Sequence, residues 1–195
     1  MLQLHNDVNF NYQMNRAIYL GNGNIEDIKK ISSGINDCGQ WKNSFIRIGE
    51  EAEKENRLEQ AATYYRMSEF FTFDSDPDKE KLYEKSVALF YKSKEKDFED
   101  SRVEKFCIPF NGSGLPVLYK KAEGTSAGTI LIHGGNDSYI EEFWNMLSAF
   151  SEAGYDAYAF EGPGKAAYSG KAESSLITNG NFRERLYWIF FILMT

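Results

Sequence analysis

With 195 residues, 42% hydrophobic and 26% charged, the chain has the composition of a soluble globular protein with room for one or two small domains. The 29 acidic against 22 basic side chains leave a net charge of -7, which argues against the basic face that a nucleic-acid partner needs, so none is expected. No basic stretch followed by an unbroken apolar run opens the sequence, so a cytoplasmic protein without a membrane partner is expected.

The two cysteines, Cys38 and Cys107, form no Cys-x-x-Cys pair, so buried free thiols are expected rather than a metal site, and no cofactor is expected either. Up to about residue 100 the chain lacks β-branched runs and carries apolar residues at helical spacing. Asn9 to Leu20 reads as a first helix ended by Gly21-Asn22-Gly23. Asn24 caps a second, with Ile25, Ile28 and Ile31 on one face. After a break from Gly34 to Gly39, Trp41, Phe45 and Ile48 start a third. Leu58, Ala61, Ala62, Tyr65 and Phe70 mark a fourth by the same i, i+3, i+4 spacing. Asp76-Pro77 opens a fifth, whose core stripe is read as Leu82, Tyr83, Val87, Leu89, Phe90 and Tyr91. The many aromatics on these helices are assigned to core packing rather than to a cofactor box. The alternative for this half is a non-enzymatic interaction module, because Ala61, Ala62 and Tyr65 loosely resemble a tetratricopeptide helix pair.

After Ser101 the pattern changes to short apolar runs separated by turn residues. Val103 to Phe110, Asn111-Gly112-Ser113-Gly114 and Leu115 to Lys120 read as a β-hairpin. Thr129 to Ile132 is a nearly continuous apolar run ending in His133-Gly134-Gly135, as expected for a strand buried on both faces of a parallel sheet. Ser138 is read as the cap of a helix through about Ala153, with Phe143, Leu147 and Phe150 inward and Gly154 ending it. Tyr155 to Phe160 is the next strand, followed by Glu161-Gly162-Pro163-Gly164, and strand, helix and strand make a βαβ unit.

Hairpin, strand with His133-Gly134-Gly135, helix and strand with Glu161-Gly162-Pro163-Gly164 together resemble an α/β-hydrolase. More narrowly, Ile132-His133-Gly134-Gly135-Asn136-Asp137 and Phe160-Glu161-Gly162-Pro163-Gly164 behind a helical segment are similar to the fermentation-respiration-switch esterase and 2,6-dihydropseudooxynicotine hydrolase group. The resemblance implies an α/β fold in which residues 1–100 form an all-helical cap, residues 101–164 the N-terminal part of the hydrolase sheet, and residues 165–195 an unrecognised tail. It also implies a small-molecule substrate and hydrolysis of an ester, amide or carbon-carbon bond. Such enzymes stabilise the developing oxyanion with two backbone N–H groups, one of them from the strand-to-helix loop. Gly135 and Asn136 are the implied candidates for that donor, supported by His133 and Gly134. His133 is implied to shape the loop, not to act as a base, and Asp137, Glu141 and Glu142 suit the first turn of a helix electrostatically.

Nucleophile, acid and base are expected to be missing. No Gly-x-Ser-x-Gly follows the strand that ends at Phe160, Ser169 lies in Ala167-Tyr168-Ser169-Gly170-Lys171, and the only histidine besides His133 is His5. An inactive, truncated family member follows, prone to self-association along an open sheet edge. The departure has a place: Lys165-Ala166 follow Gly164 where the family continues Gln-Gly, and Leu186 to Met194 turns almost wholly apolar. Reading each codon's third base with the next two makes Tyr187/Trp188 Leu and both Trp188/Ile189 and Met194/Thr195 Asp, whichever codons are used. That peptide resembles the family's helix before its nucleophile strand, which points to a frameshift between Gly164 and Leu176.

Overall fold

The computed structural model describes residues 1–110, 113–135 and 137–162. The chain divides into two compact units, Met1–Glu99 and a second that begins at Asp100.

The first unit is helical: α1 (Val8–Tyr19), α2 (Ile25–Ser32), α3 (Cys38–Lys54), α4 (Leu58–Phe70), α5 (Asp78–Ser93) and the single turn α6 (Glu95–Phe98). Short polar side chains start the first three helices. Asp7 accepts from the Asn9 and Phe10 N–H groups, Asn24 from Glu26 and Asp27, and Asp37 from Gln40. The Asp37 cap explains why α3 begins at Cys38, ahead of the apolar stripe, and takes Gly39 into its first turn. At its other end Asn56 adopts φ 58°, and the Arg57 N–H reaches back to the Ala52 carbonyl at 2.8 Å.

The core is aromatic: Trp41, Phe45 and Tyr65 are buried as the spacing predicts, Tyr64 joins them, and Leu58 and Phe70 are only half-buried. Trp41 stacks on Phe10 at 5.2 Å between centroids, packs against Phe45 at 4.5 Å, and donates its indole N–H to the Met67 carbonyl at 2.6 Å. On α5 the buried positions are Leu82, Ser86, Leu89 and Phe90, whereas Tyr83, Val87 and Tyr91 are half-buried. Ser86 takes a core place because its hydroxyl donates to the Ala62 carbonyl of α4 at 2.9 Å.

The second unit has a four-stranded sheet, β1 (Val103–Phe110), β2 (Ser113–Lys120), β3 (Thr129–His133) and β4 (Asp156–Phe160), in the order β1-β2-β4-β3. The β1-β2 and β2-β4 pairs are antiparallel and β3-β4 is parallel. β2 begins at Ser113, so strand pairing extends two residues further into the expected turn. The connection itself, Asn111-Gly112, lies outside the described residues.

Pairing register sorts the side chains by face. Ile108, Leu115, Val117 and Phe160 cluster on one side with Phe106, Leu131 and Tyr158. Leu118, Ala157, Ala159 and Ile132 alternate to the other. There α7 (Trp144–Glu152) lies against the sheet, with Lys120 Nζ donating to Ser148 Oγ at 2.8 Å and sitting over the Trp144 ring. Small alanines on β4 allow this approach.

Sequence and structure differ in three further places here. β3 has β4 as its only strand neighbour among the described residues, so Ile130 and Leu131 are half-buried and Thr129 is exposed, not covered on both faces. The helix after it starts as a 3-10 turn, Ile140–Phe143, with Tyr139 rather than Ser138 at the cap. Ile140, Trp144, Leu147 and Ser151 are its buried face, leaving Phe143 and Phe150 half-buried. Cys107 is exposed on the edge strand β1 and Cys38 is half-buried, so neither thiol is in the core. Gly154 ends α7 with φ 86°, its N–H bonded to the Ser151 carbonyl and that of Tyr155 to the Phe150 carbonyl. Among the described residues no helix is long and apolar enough to cross a membrane, and no three His, Cys, Asp or Glu side chains are grouped to hold a metal ion.

Candidate functional site

β3 and β4 are parallel neighbours that end side by side, His133 opposite Phe160. In open α/β sheets ligands bind outside the carboxyl ends of the parallel strands, so this end is where a site is sought. His133 is exposed, with its ring 5.0 Å from that of Phe160 at 57°. Gly134 is half-buried and Gly135 exposed.

Neither glycine has a positive φ, so the need for glycine is one of space. A Cβ on Gly134 would lie 2.6 Å from Ser138 Cβ and 2.8 and 2.9 Å from the Phe143 ring, which nothing nearby can relieve cheaply. At Gly135 the nearest atom to such a Cβ is Asp137 Oδ1, at 3.3 Å, the free end of a side chain. Gly134 therefore packs the loop down and Gly135 is left on top. The Gly135 carbonyl accepts from the Ser138 N–H at 3.3 Å. Among the described residues no acceptor meets the Gly135 N–H.

The loop is continued by Tyr139, whose N–H donates to Glu142 Oε1 at 3.3 Å, so Glu142 serves the helix start as expected of a first-turn acid. Beside it the buried Glu161, just past the end of β4, accepts from the Ile140 N–H through Oε1 at 3.1 Å. Its own N–H donates to the Pro116 carbonyl of β2 at 3.2 Å. Gly162 follows, and a Cβ there would stand 3.1 Å from His133 Nε2, so the segments leaving β3 and β4 approach closely. Sequence reasoning gave Glu161 no part in the site. Its one signal was its place at the head of Glu161-Gly162-Pro163-Gly164, immediately after a strand.

Of the residues expected at the site, His133, Gly134 and Gly135 lie together at the end of β3, while Asn136 lies outside the described residues. So do Pro163, Gly164, Ser169 and the rest of the tail. His5 belongs to the helical unit, where Nδ1 accepts from the Asp7 N–H at 2.9 Å and Nε2 donates to the Ile35 carbonyl at 2.8 Å. Both of its ring nitrogens hold backbone in place.

No family model matches the chain, and no curated protein does. Solved structures do. A structure titled AbyA5 Wildtype is 21% identical with a TM-score of 0.57, covering 76% of this chain and 42% of its own. A second structure of AbyA5 is 20% identical with a TM-score of 0.58, over 84% and 48%. The 2,6-dihydroxy-pseudo-oxynicotine hydrolase is 18% identical with a TM-score of 0.58, over 92% and 53%. The chain thus spans about half the length of these structures. At such identities the likeness speaks for architecture, and the helical region followed by the small mixed sheet is an α/β-hydrolase-like fold.

Proposed function

We propose that the chain carries the oxyanion-loop half of a serine α/β-hydrolase site. Enzymes with such a site cleave an ester, amide or carbon-carbon bond through an activated serine. The observation that supports this reading best is the exposed Gly135 at the carboxyl end of β3, on a loop held down by Gly134. A backbone donor in that place stabilises a tetrahedral oxyanion, and losing one such donor costs about 100- to 1000-fold in rate. Asn136 offers the neighbouring N–H. The substrate class is a small molecule with a carbonyl at the scissile bond, and the helical unit takes the part of the cap that selects it. Neither metal nor organic cofactor is required by this chemistry.

The nucleophile is a different matter. The one Gly-x-Ser-x-Gly, Gly124 to Gly128, lies ahead of β3 in an exposed stretch, where the Ser126 hydroxyl donates to the Gly128 carbonyl at 3.0 Å, and not in the turn after a strand that a nucleophile needs; of the two histidines, His5 is committed to the helical unit. The chain alone therefore contributes an oxyanion donor without a nucleophile and is inactive. A fluorophosphonate probe is expected to leave it unlabelled, and p-nitrophenyl esters to remain uncleaved above the buffer rate. Labelling at a single serine would overturn the inactivity and supply the missing residue. Sequencing the gene beyond Thr195 tests the frameshift between Gly164 and Leu176, because a downstream Gly-x-Ser-x-Gly is expected in one of the frames and its absence from all three sinks the idea. The same reading holds that the outer edge of β3 drives self-association, so light scattering on a size-exclusion column should return oligomers. A monomer at every concentration would contradict it.

A further inference from the structure

The 3-10 turn after the glycine loop has a reciprocal cap, the Tyr139 side chain accepting from the Glu142 N–H and the Glu142 side chain from the Tyr139 N–H. That cap does not serve the Ile140 N–H, whose acceptor comes from 21 positions along the chain, where Glu161 Oε1 takes it at 3.1 Å in buried surroundings. Glu161 is 2% exposed, and withdrawing a carboxylate this far from water is costly unless hydrogen bonds offset the loss. What the distant carboxylate adds is a connection between the end of β4 and the loop that leaves β3.

That connection reaches Gly135 through bonded and packed atoms. The Glu161 N–H is fixed to Pro116 of β2, its side chain to Ile140, and the Ser138 N–H to the Gly135 carbonyl. Gly134 is wedged against Ser138 and Phe143, so Gly134 has little freedom to move against the turn that starts there. Gly135 is therefore suspended between the end of β3 and the bond at Ile140. We propose that Glu161 is the positioning residue that sets the direction of the Gly135 N–H, an inference that rests on the oxyanion reading of this loop.

The test uses the full chain labelled with nitrogen-15, in its wild-type form and as Glu161→Gln and Glu161→Ala. Amide resonances and hydrogen exchange are compared between the loop (Gly135, Ser138, Ile140) and the ladder (Leu131, Ala157, Ala159). In Glu161→Ala, exchange at Ser138 and Ile140 should quicken at least tenfold and the Gly135 resonance should move, with the ladder amides within about twofold of wild type. Glu161→Gln retains an oxygen acceptor and should keep all three loop amides at their wild-type values. The proposal fails if Gly135 stays in place while Ile140 alone exchanges faster, if loop and ladder quicken together, or if Glu161→Gln behaves like Glu161→Ala. Should Glu161→Ala not fold, the wild-type chain decides, since Ser138 and Ile140 must then share one denaturant dependence of exchange. No bond is cleaved in these measurements, so they judge Glu161 separately from the fluorophosphonate result, which judges the hydrolase reading.

Discussion

The helical unit and the sheet unit use their buried carboxylates in different ways. In the helices they bond to other side chains: Asp27 accepts from Arg57 at 2.7 Å and from the Tyr64 hydroxyl at 3.0 Å, and Glu69 pairs with Arg66 and Lys79. In the sheet unit the buried Glu161 takes a backbone N–H distant in sequence, that of Ile140, and the half-buried Asp156 takes the Ala122 N–H at 3.0 Å beside the Tyr119 hydroxyl at 3.1 Å. The first pattern locks helices to helices. The second fixes where loops go, which is what a site made from backbone donors requires.

The largest effect that separates the two units is expected from Trp41→Ala. It removes the ring between Phe10, Phe45 and Phe71 and leaves the Met67 carbonyl without its indole donor. Truncating a buried Trp costs about 3–5 kcal/mol. Urea titration followed by far-UV circular dichroism should show the helical signal lost early, while ladder amides of β3 and β4 keep their protection. Loss of both units in a single transition would mean that their stabilities are not separate.

Next in size is the contrast within the loop. Gly134→Ala forces a methyl against Ser138 and the Phe143 ring and should cost about 1–3 kcal/mol, as overpacking does. Gly135→Ala meets only the Asp137 carboxylate and should stay within about 0.5 kcal/mol. Equal costs at the two positions would remove the distinction between a glycine that packs and a glycine that presents its N–H.

The same division explains what the sequence revealed. Helices α1 to α5 follow from local spacing and caps, and that spacing alone puts Trp41, Phe45 and Tyr65 in the core. Likewise, β3, β4 and the glycine loop were found as segments. The order β1-β2-β4-β3 was not, because nothing local states that β3 lies at the edge, and a run such as Ile130-Leu131-Ile132 looks the same in an edge strand and a central one. The Glu161 contact was hidden for a similar reason: a carboxylate after a strand looks solvated until the turn 21 residues earlier folds back onto it. Ser86 escaped notice because a serine in a stripe of aromatics joins the core only through its bond to Ala62 on another helix.

Acid should sharpen the comparison further. Burial alone would raise the Asp27 carboxyl, but hydrogen bonds from Arg57 and Tyr64 outweigh it and hold the group below the usual carboxylate range. Asp156 is held low chiefly by the Ala122 N–H, against the opposing effect of burial. A carboxyl whose folded pKa lies below its unfolded value of about 3.9 contributes stability above that pH and loses it as pH falls through the folded value. Both units should therefore weaken below about pH 4, and each through its own residue. Asp27→Asn should flatten the acid limb of the helical transition and Asp156→Asn that of the sheet, each read by circular dichroism or by ladder amides. If either substitution flattened both limbs, the two units would share their acid response.

The smallest effect concerns the thiols. Cys107 is exposed on the outer strand β1, while Cys38 is the first residue of α3, behind the Asp37 cap, and half-buried. Cys107→Ser touches no core atom and should change stability by less than about 0.5 kcal/mol. Its use is as a reporter. With Ellman's reagent one thiol should titrate at once in the native chain, and this fast phase should vanish in Cys107→Ser. The slower phase of Cys38 should quicken in Trp41→Ala, since opening of the helical unit limits it, and should be indifferent to Gly134→Ala in the other unit. A Cys38 phase that answered to Gly134→Ala would show that the loop and the helices open together, and the contrast between them would then lie in chemistry alone.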